Sequence, residues 1–344
     1  MMSRELGSEA DSLSAANEES PERGQSFSYS RIIRSVLIFS FVGIALYGVC
    51  AIASDYRSII AALARFLLDS LATVLFLVAF GWILRGFRFH YYLRKSGQDV
   101  PLVYSVSAFL AGFALTGTPG KIGEAMKGVF LKRDYNVRVT KVVGILVVER
   151  LMDLFGVLLL GSLSLLLFKG WIGLFLVCAV LVIAAGMFLC MEVIYRPVLS
   201  WLAGFRLLAW PANRVLSALL SGKELMTVKI FMVGLVLSTL AWAMESVSLY
   251  VIMKGLGLGA TLLEANFTYC FSTLVGALSM APGGIGGTEA GMIGLMTYMG
   301  ISYADGLPAV LLIRICTLWL AIFTGLIFSI YLMAFPKTRP DQAH

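Results

Sequence analysis

Two Pro-Gly blocks interrupt apolar sequence with a similar order of residue types. They are Thr118–Ala125, which reads TPGKIGEA, and Ala281–Ala290, which reads APGGIGGTEA. Proline lacks a backbone N–H and glycine does not restrain the backbone, so each block should end one helix and open another. The free N-terminus of a half-helix inside a membrane attracts anionic groups. Each block therefore predicts a position where an anion binds.

Two arginines deep in later helices complete the predicted site. Arg150 and Arg314 each lie about ten residues into an apolar segment, where a guanidinium is costly unless it faces a partner or a wet cavity. The candidate substrate-binding residues are Pro119, Gly120, Lys121, Gly123, Glu124, Arg150, Pro282, Gly283, Gly284, Gly286, Glu289 and Arg314. Lys121 has glycine as its counterpart in the second block, so Lys121 is the expected phosphate contact.

The two arginines differ in their local partners. Arg150 has Glu149 beside it and Asp153 one turn away, so an intrahelical ion pair that only fixes packing is an alternative. Arg314 has no carboxylate within four residues of its own helix. Its counter-charge must come from Glu289 or Glu245 on another helix, or from a ligand.

Glu124 and Glu289 fall in the first turns of their half-helices, where helix capping alone would explain a carboxylate. The alternative hypothesis is a gate, in which each glutamate pairs with a deep arginine until an anionic head group displaces it. Glu245 and Asp153 are further candidates for gating or for carrying a proton.

Composition defines the broad class of protein. Of 344 residues, 59% are hydrophobic and 14% charged, and the mean hydropathy is +0.88, as in an integral membrane protein. The net charge of +7 comes largely from Lys and Arg in short loops, which act as topology signals and argue against nucleic-acid binding. Five cysteines without paired spacing and two histidines predict neither a metal site nor a cofactor.

The predicted fold is all-α, a polytopic membrane helix bundle. Six full spans are expected at about 32–53, 67–92, 140–168, 171–195, 226–254 and 305–334. The segments at about 102–131 and 262–300 contain the blocks and are expected to form re-entrant helix-break-helix hairpins. Two full crossings by each broken segment would leave the topology otherwise unchanged, so that alternative stays open.

The expected domain organisation follows from these spans. Residues 1–28 form a disordered cytoplasmic tail, 29–335 the membrane domain, and 336–344 a second cytoplasmic tail. Residues 196–225 suit an amphipathic helix in the interface. Basic residues assigned to inside segments, among them Arg85, Arg88, Arg94 and Lys95, place both termini in the cytoplasm of a bacterial inner membrane.

The chain also contains an internal repeat, at about 67–168 and 226–334. Trp82–Arg150 corresponds to Trp242–Arg314, and Trp82-x-x-Arg85 is echoed by Trp242-x-x-Glu245. The first span of each repeat would run in opposite directions, so the repeats are expected to be inverted. Inverted repeats with broken helices place a site at their interface near the midplane of the bilayer.

The two blocks and the arginine after each resemble the membrane domain of lysylphosphatidylglycerol synthases, a flippase-like family, over about residues 30–335. The motifs are Pro-Gly-x-x-Gly-x-x-Glu-Ala and the earlier Pro-Gly-Lys-x-Gly-Glu. The resemblance implies movement of an aminoacylated phospholipid between leaflets, without the separate domain that makes that lipid. It also implies hopanoid and polyprenyl-linked lipids as alternative substrates.

We therefore expect a lipid translocase that is not an enzyme, with a membrane lipid as substrate and a separate lipid-modifying synthase as a partner. Two other classes stay open: a non-catalytic membrane partner of such a synthase, and an integral-membrane lipid enzyme. An enzyme of that kind would need a histidine, an aspartate pair or metal ligands near the membrane surface. His90, beside Tyr91 and Tyr92 at a span end, has the pattern of an interface anchor.

Overall fold

The computed structural model describes residues 66, 68–116, 124, 126–205, 209–279 and 281–336. These residues are 87% helical and include no strand. The predicted N-terminal tail, the span at 32–53 and the C-terminal tail beyond Pro336 lie outside them. So do four predicted site residues, Pro119, Gly120, Lys121 and Gly123.

Twelve α-helices make up the described part of the chain. They are α1 Leu68–Lys95, α2 Leu102–Gly112, α3 Met126–Tyr135, α4 Val139–Leu163, α5 Ile172–Cys190, α6 Glu192–Ala203, α7 Ala209–Gly222, α8 Val228–Gly255, α9 Leu262–Leu278, α10 Gly287–Tyr298, α11 Tyr303–Arg314 and α12 Leu320–Ala334. A π turn at Ile315–Trp319 joins α11 to α12, and short 3-10 turns follow α2, α4, α7 and α9.

Four segments of the described chain are long and apolar enough to cross a membrane. They are Leu68–Lys95, Lys169–Leu189, Val228–Gly255 and Tyr303–Ala334. Helix α4 has spanning length, at 25 residues, but carries Glu149, Arg150 and Asp153 in its middle. The all-α polytopic membrane bundle is confirmed, whereas the count of six spans stays a prediction.

Helices α1 and α8 pack against each other along their whole length and run in opposite directions. Tyr92 near the end of α1 lies against Gly234 near the start of α8, Gly81 lies against Ala241, and Ser70 lies near Gly255. Both helices have 28 residues. An antiparallel crossing between the first helices of two repeats is what an inverted relation requires.

Each Pro-Gly block lies between two helices that fold back on one another. In the first hairpin, the Tyr104 hydroxyl on α2 donates to the carbonyl of Phe130 on α3 at 3.2 Å. In the second, Gly276 and Ser272 of α9 lie against Thr288 and Gly291 of α10. With 12 residues, α10 is about 18 Å long, too short to cross the hydrocarbon core of about 30 Å. The re-entrant placement of the hairpins stays a prediction.

The segment expected to be one interfacial helix at 196–225 is instead two helices, α6 and α7. They pack together through Tyr195, Leu199 and Leu219, which buries apolar surface that a single straight helix would leave exposed. Helix α7 also packs on α4, where a Cβ on Gly222 would lie 3.1 Å from the carbonyl oxygen of Gly144. The small residues allow this close backbone approach.

Candidate functional site

Three glycines with positive φ make the second break. The φ angles are 62° at Gly283, 69° at Gly284 and 88° at Gly286, values that other residues adopt only with strain. Gly286 precedes α10, and its N–H donates to Glu289 Oε2 at 2.7 Å. Glu289 therefore caps its half-helix, as the simpler interpretation of this residue predicts.

Glu289 also binds the deep arginine of its repeat. Arg314 Nε donates to Glu289 Oε1 at 2.6 Å, and Nη2 donates to the Gly283 carbonyl at 2.8 Å. The side chain of Arg314 is 9% exposed. Of the two partners expected for Arg314, the structure places Glu289 against it. The Arg314 guanidinium thus connects Gly283, in the break, with Glu289, in the helix that follows it. The π turn begins at the residue after Arg314.

The first hairpin has the equivalent pair in a more open form. Arg150 Nη2 lies 3.2 Å from Glu124 Oε2 and 3.3 Å from Asp153 Oδ2, and its side chain is 26% exposed. Glu124 is 2% exposed, and the Thr116 hydroxyl donates to its Oε1 at 3.3 Å. Of the three carboxylates expected near Arg150, Asp153 on its own helix and Glu124 on the hairpin contact it.

Arg85 and Arg88, counted from the sequence among the charges of an inside segment, are instead buried parts of this interior. Helix α1 continues to Lys95, and Arg88 is fully buried within it. Arg88 Nη1 donates to Asp153 Oδ1 at 2.7 Å and to Ser238 Oγ at 2.6 Å. Two signals in the sequence could have revealed that one face of this helix is buried. The two arginines after Trp82 have i, i+3 spacing, and aromatic residues continue past them.

A second buried pair lies beside Arg88. Lys127 Nζ donates to Glu149 Oε2 at 2.5 Å, and it also lies 4.3 Å from the centre of the Phe89 ring. The other carboxylate oxygen of Glu149 is 3.9 Å from Arg88 Nη2. Glu149 thus binds Lys127 of the hairpin, although it is adjacent to Arg150 in sequence.

Glu245, the candidate for gating, pairs with Arg85. The two side chains form a buried ion pair between α8 and α1, and the Tyr269 hydroxyl on α9 donates to the same carboxylate. The Arg85 guanidinium lies over Trp242, 4.4 Å from the ring centre. A charged group stacked on an aromatic face and bonded to a carboxylate is well stabilised in an apolar surrounding.

Several donors of this interior have no hydrogen-bond acceptor among the described residues. They include Nε and Nη2 of Arg85, the same atoms of Arg88, Arg150 Nε and Trp242 Nε1. Two carboxylate oxygens there, Glu149 Oε1 and Asp153 Oδ2, likewise have no donor. Buried donors nearly always have acceptors, and the six donors named outnumber these two oxygens, so the interior has capacity for an anion. In the part of the chain that the structure describes, no group of three His, Cys, Asp or Glu side chains is arranged to hold a metal ion.

An all-α bundle with apolar helices of membrane-spanning length and a charged interior defines a polytopic membrane protein. Residues 34–325 match the family described as the lysylphosphatidylglycerol synthase TM region. The chain belongs to this family, which confirms the resemblance noted from the Pro-Gly blocks.

Three matches to curated relatives carry the description UPF0104 membrane protein. One from Methanothermobacter thermautotrophicus is 33% identical over 94 residues, 27% of this chain and 28% of the relative. Another match under that name in the same organism is 24% identical over 252 residues, 66% of this chain and 75% of the relative. A relative from Methanocaldococcus jannaschii is 25% identical over 224 residues, 61% of this chain and 89% of the relative. The first match thus spans about a quarter of the relative, and the other two span most of it.

Proposed function

We propose that this protein is a lipid translocase and not an enzyme. Its substrate in this proposal is an amphipathic lipid with an anionic or zwitterionic head group, either a phospholipid or a polyprenyl or hopanoid lipid. The head group passes through the charged interior near the two hairpin breaks while the acyl chains stay in the bilayer. Membership of the family supports this class of function, and the substrate is drawn from the chemistry of the interior.

The observation that carries the proposal is the accessible Arg150 beside Glu124. Arg150 keeps a quarter of its side chain exposed, and its Nε, which is buried, has no acceptor among the described residues. A phosphate can bind a guanidinium through two parallel hydrogen bonds. It would compete with Glu124 for the same cation, as the gate hypothesis requires.

The second hairpin has a different part in this proposal. Arg314 is tied both to Glu289 and to the backbone of Gly283, so it holds the two ends of that break together. The structure thus combines an accessible Arg150 with an enclosed Arg314. In inverted-repeat transporters, alternating access comes from movement of one repeat against the other. A structure in which one arginine is accessible and the other enclosed fits one of the two end states of such a movement.

Charge at the helix ends supports an orientation with both termini in the cytoplasm of a bacterial inner membrane. Tyr92 contacts Gly234 and Lys141 pairs with Glu224, so the end of α1 and the starts of α4 and α8 lie together. Basic residues collect at this shared end: Arg94, Lys95, Arg138, Lys141 and Lys229. Cytoplasmic ends of membrane proteins have this excess of Lys and Arg. It is also the side on which a separate lipid-modifying synthase could deliver substrate.

Lipid movement in vesicles tests the proposal directly. The purified protein is reconstituted in liposomes with a short-chain fluorescent phosphatidylglycerol, and transfer between leaflets is followed by extraction with albumin. The parent should move the probe at least about tenfold faster than empty liposomes. Arg150→Gln should lose most of that rate, because phosphate binding to a guanidinium is stronger than to a neutral amide.

Arg94→Gln is the matched control, since Arg94 pairs with Asp99 at an exposed surface. Its rate should equal that of the parent. Equal rates for empty liposomes and the parent would contradict the proposal for this lipid class. Equal rates for Arg150→Gln and the parent would remove Arg150 from the pathway. Mass spectrometry of lipids retained by the purified parent and by Arg150→Gln then identifies the head group.

A further inference from the structure

Six charged side chains around the first hairpin form one connected group with no net charge. We call them the first-hairpin cluster; its cations are Arg88, Lys127 and Arg150, and its carboxylates are Glu124, Glu149 and Asp153. An anionic head group that binds Arg150 adds a negative charge to this balanced group. An uncompensated charge in a buried place is costly, and a titratable group there neutralises instead.

The three carboxylates differ in how much cationic support they have. Asp153 contacts Arg88 at 2.7 Å and Arg150 at 3.3 Å, and it accepts from the Ser238 hydroxyl. Glu149 contacts Lys127 at 2.5 Å and lies 3.9 Å from Arg88. Glu124 contacts Arg150 at 3.2 Å. Glu124 therefore loses most when a head group engages Arg150.

We propose that Glu124 takes up one proton when an anionic head group binds Arg150, so that lipid movement is coupled to protons. This inference rests on the proposed function. The Glu124 carboxylate and one proton form the neutral acid as the head group arrives, and the proton leaves when the head group leaves and Arg150 returns. With a head group of single negative charge, one proton and one lipid cross together and no net charge moves.

The surroundings of Glu124 suit both of its protonation states. The hydroxyl of Thr116, at the end of the 3-10 turn after α2, donates to the carboxylate and can accept from the protonated acid, because a hydroxyl does both. On α4, Arg150 faces Glu124 directly and also contacts Asp153. On α3, Lys127 is engaged by Glu149, and on α1, Arg88 is engaged by Asp153.

The second hairpin does not need such a proton. Glu289 accepts from the N–H of Gly286 as well as from Arg314, and its side chain is 18% exposed. The backbone N–H of Gly286 can only donate, so it stays a partner of the Glu289 carboxylate when Arg314 binds a head group. The coupling is therefore assigned to the first hairpin alone.

Gradients imposed across proteoliposomes test the coupling. The probe is fluorescent phosphatidylglycerol, which carries one negative charge, and pyranine inside the vesicles reports proton movement. With one proton per lipid, a pH difference of one unit should enrich the probe about tenfold in the leaflet on the alkaline side. A potential set with potassium and valinomycin at equal pH should leave the distribution unchanged. In Glu124→Gln, whatever probe still moves should show neither enrichment nor proton flux.

Glu264→Gln is the matched control, because Glu264 occupies the first turn of α9 in a capping box that glutamine can preserve. It should keep the coupling. A parent that moves lipid but ignores the pH difference overturns the proposal and leaves the lipid translocase intact, whereas a parent that moves no lipid overturns the proposed function itself. Full coupling in Glu124→Gln also overturns the assignment to Glu124. If that variant does not fold, the response of the parent to the two gradients still decides whether protons are coupled.

Discussion

Arg85 and Glu245 pair with each other although they occupy corresponding positions of the two repeats, 160 residues apart. Gly81 and Ala241, which also correspond, lie in contact as well. Residues related by a two-fold axis touch their own counterparts only close to that axis. With the predicted repeat alignment, this relationship puts the pseudo-two-fold axis between α1 and α8, near Arg85 and Glu245.

Removing one partner of this pair should strongly destabilise the protein. We expect Glu245→Ala to lower the free energy of unfolding by about 3–5 kcal/mol, because Arg85 would remain buried without its counter-charge. Arg85→Leu combined with Glu245→Leu should recover much of that loss. Thermal unfolding in a mild detergent provides the measurement.

The exposed pair of Arg94 and Asp99 is the control for that experiment. Its side chains are 55% and 91% exposed, and Asp99→Ala should change stability by less than about 1 kcal/mol. A small effect of Glu245→Ala, similar to that of Asp99→Ala, would show that water reaches Arg85.

Arg314→Lys should loosen the second hairpin although it keeps the charge. A single ammonium cannot reproduce the planar fork that binds Glu289 and the Gly283 carbonyl together. Hydrogen exchange should become at least about tenfold faster at Gly284–Ala290, since a loss of about 1.4 kcal/mol corresponds to a factor of ten.

Arg196→Lys, at the exposed i, i+4 pair with Glu192, provides the comparison for Arg314→Lys. It should leave exchange in the second hairpin unchanged. Unaltered protection in Arg314→Lys would mean that helix packing alone holds the break.

Gly286→Ala tests the backbone of the second break without adding a clash. A Cβ at Gly286 has no atom within 4 Å, but its φ is 88°. We expect a loss of about 1–2 kcal/mol from the backbone conformation alone.

Gly294→Ala in α10 also meets no atom within 4 Å and has no positive φ. It should instead be neutral or stabilise the protein by up to about 1 kcal/mol. Equal effects of Gly286→Ala and Gly294→Ala on the melting temperature would contradict the strained geometry of the break.

Gly144→Ala tests the contact of α4 with α7. A Cβ there would lie 2.5 Å from the Ala218 carbonyl oxygen and 2.9 Å from the Gly222 nitrogen, so the helices must separate. We expect a loss of about 1–3 kcal/mol.

Gly173→Ala in α5, where a Cβ meets no atom within 4 Å, should cost little by the same assay. If Gly144→Ala melts at the same temperature as Gly173→Ala, α7 does not pack on α4 as closely as described.

The sequence predicted the all-α membrane bundle and the second break because apolar length and Pro-Gly chemistry are local properties. Glu289 is one of the two carboxylates that the sequence offers as partners of Arg314, because few carboxylates lie in apolar sequence. Arg85 and Arg88 lie within the span predicted at 67–92 but were counted among the charges of an inside segment, because residue order alone does not show which face of a helix is buried. Glu149 pairs with Lys127 because of the way α3 packs on α4, and no local sequence pattern specifies that packing.

The crossing of α1 and α8 has the character of an isologous interface, in which each partner presents the same patch to the other. If two identical copies met there, position 85 would face itself, and two guanidinium groups or two carboxylates would repel one another. Within one chain the two positions are free to differ, and Arg85 facing Glu245 converts that repulsion into attraction. Joining the halves in one polypeptide therefore permits a charge at the centre of the bundle that a symmetric homodimer of half-chains would have to exclude.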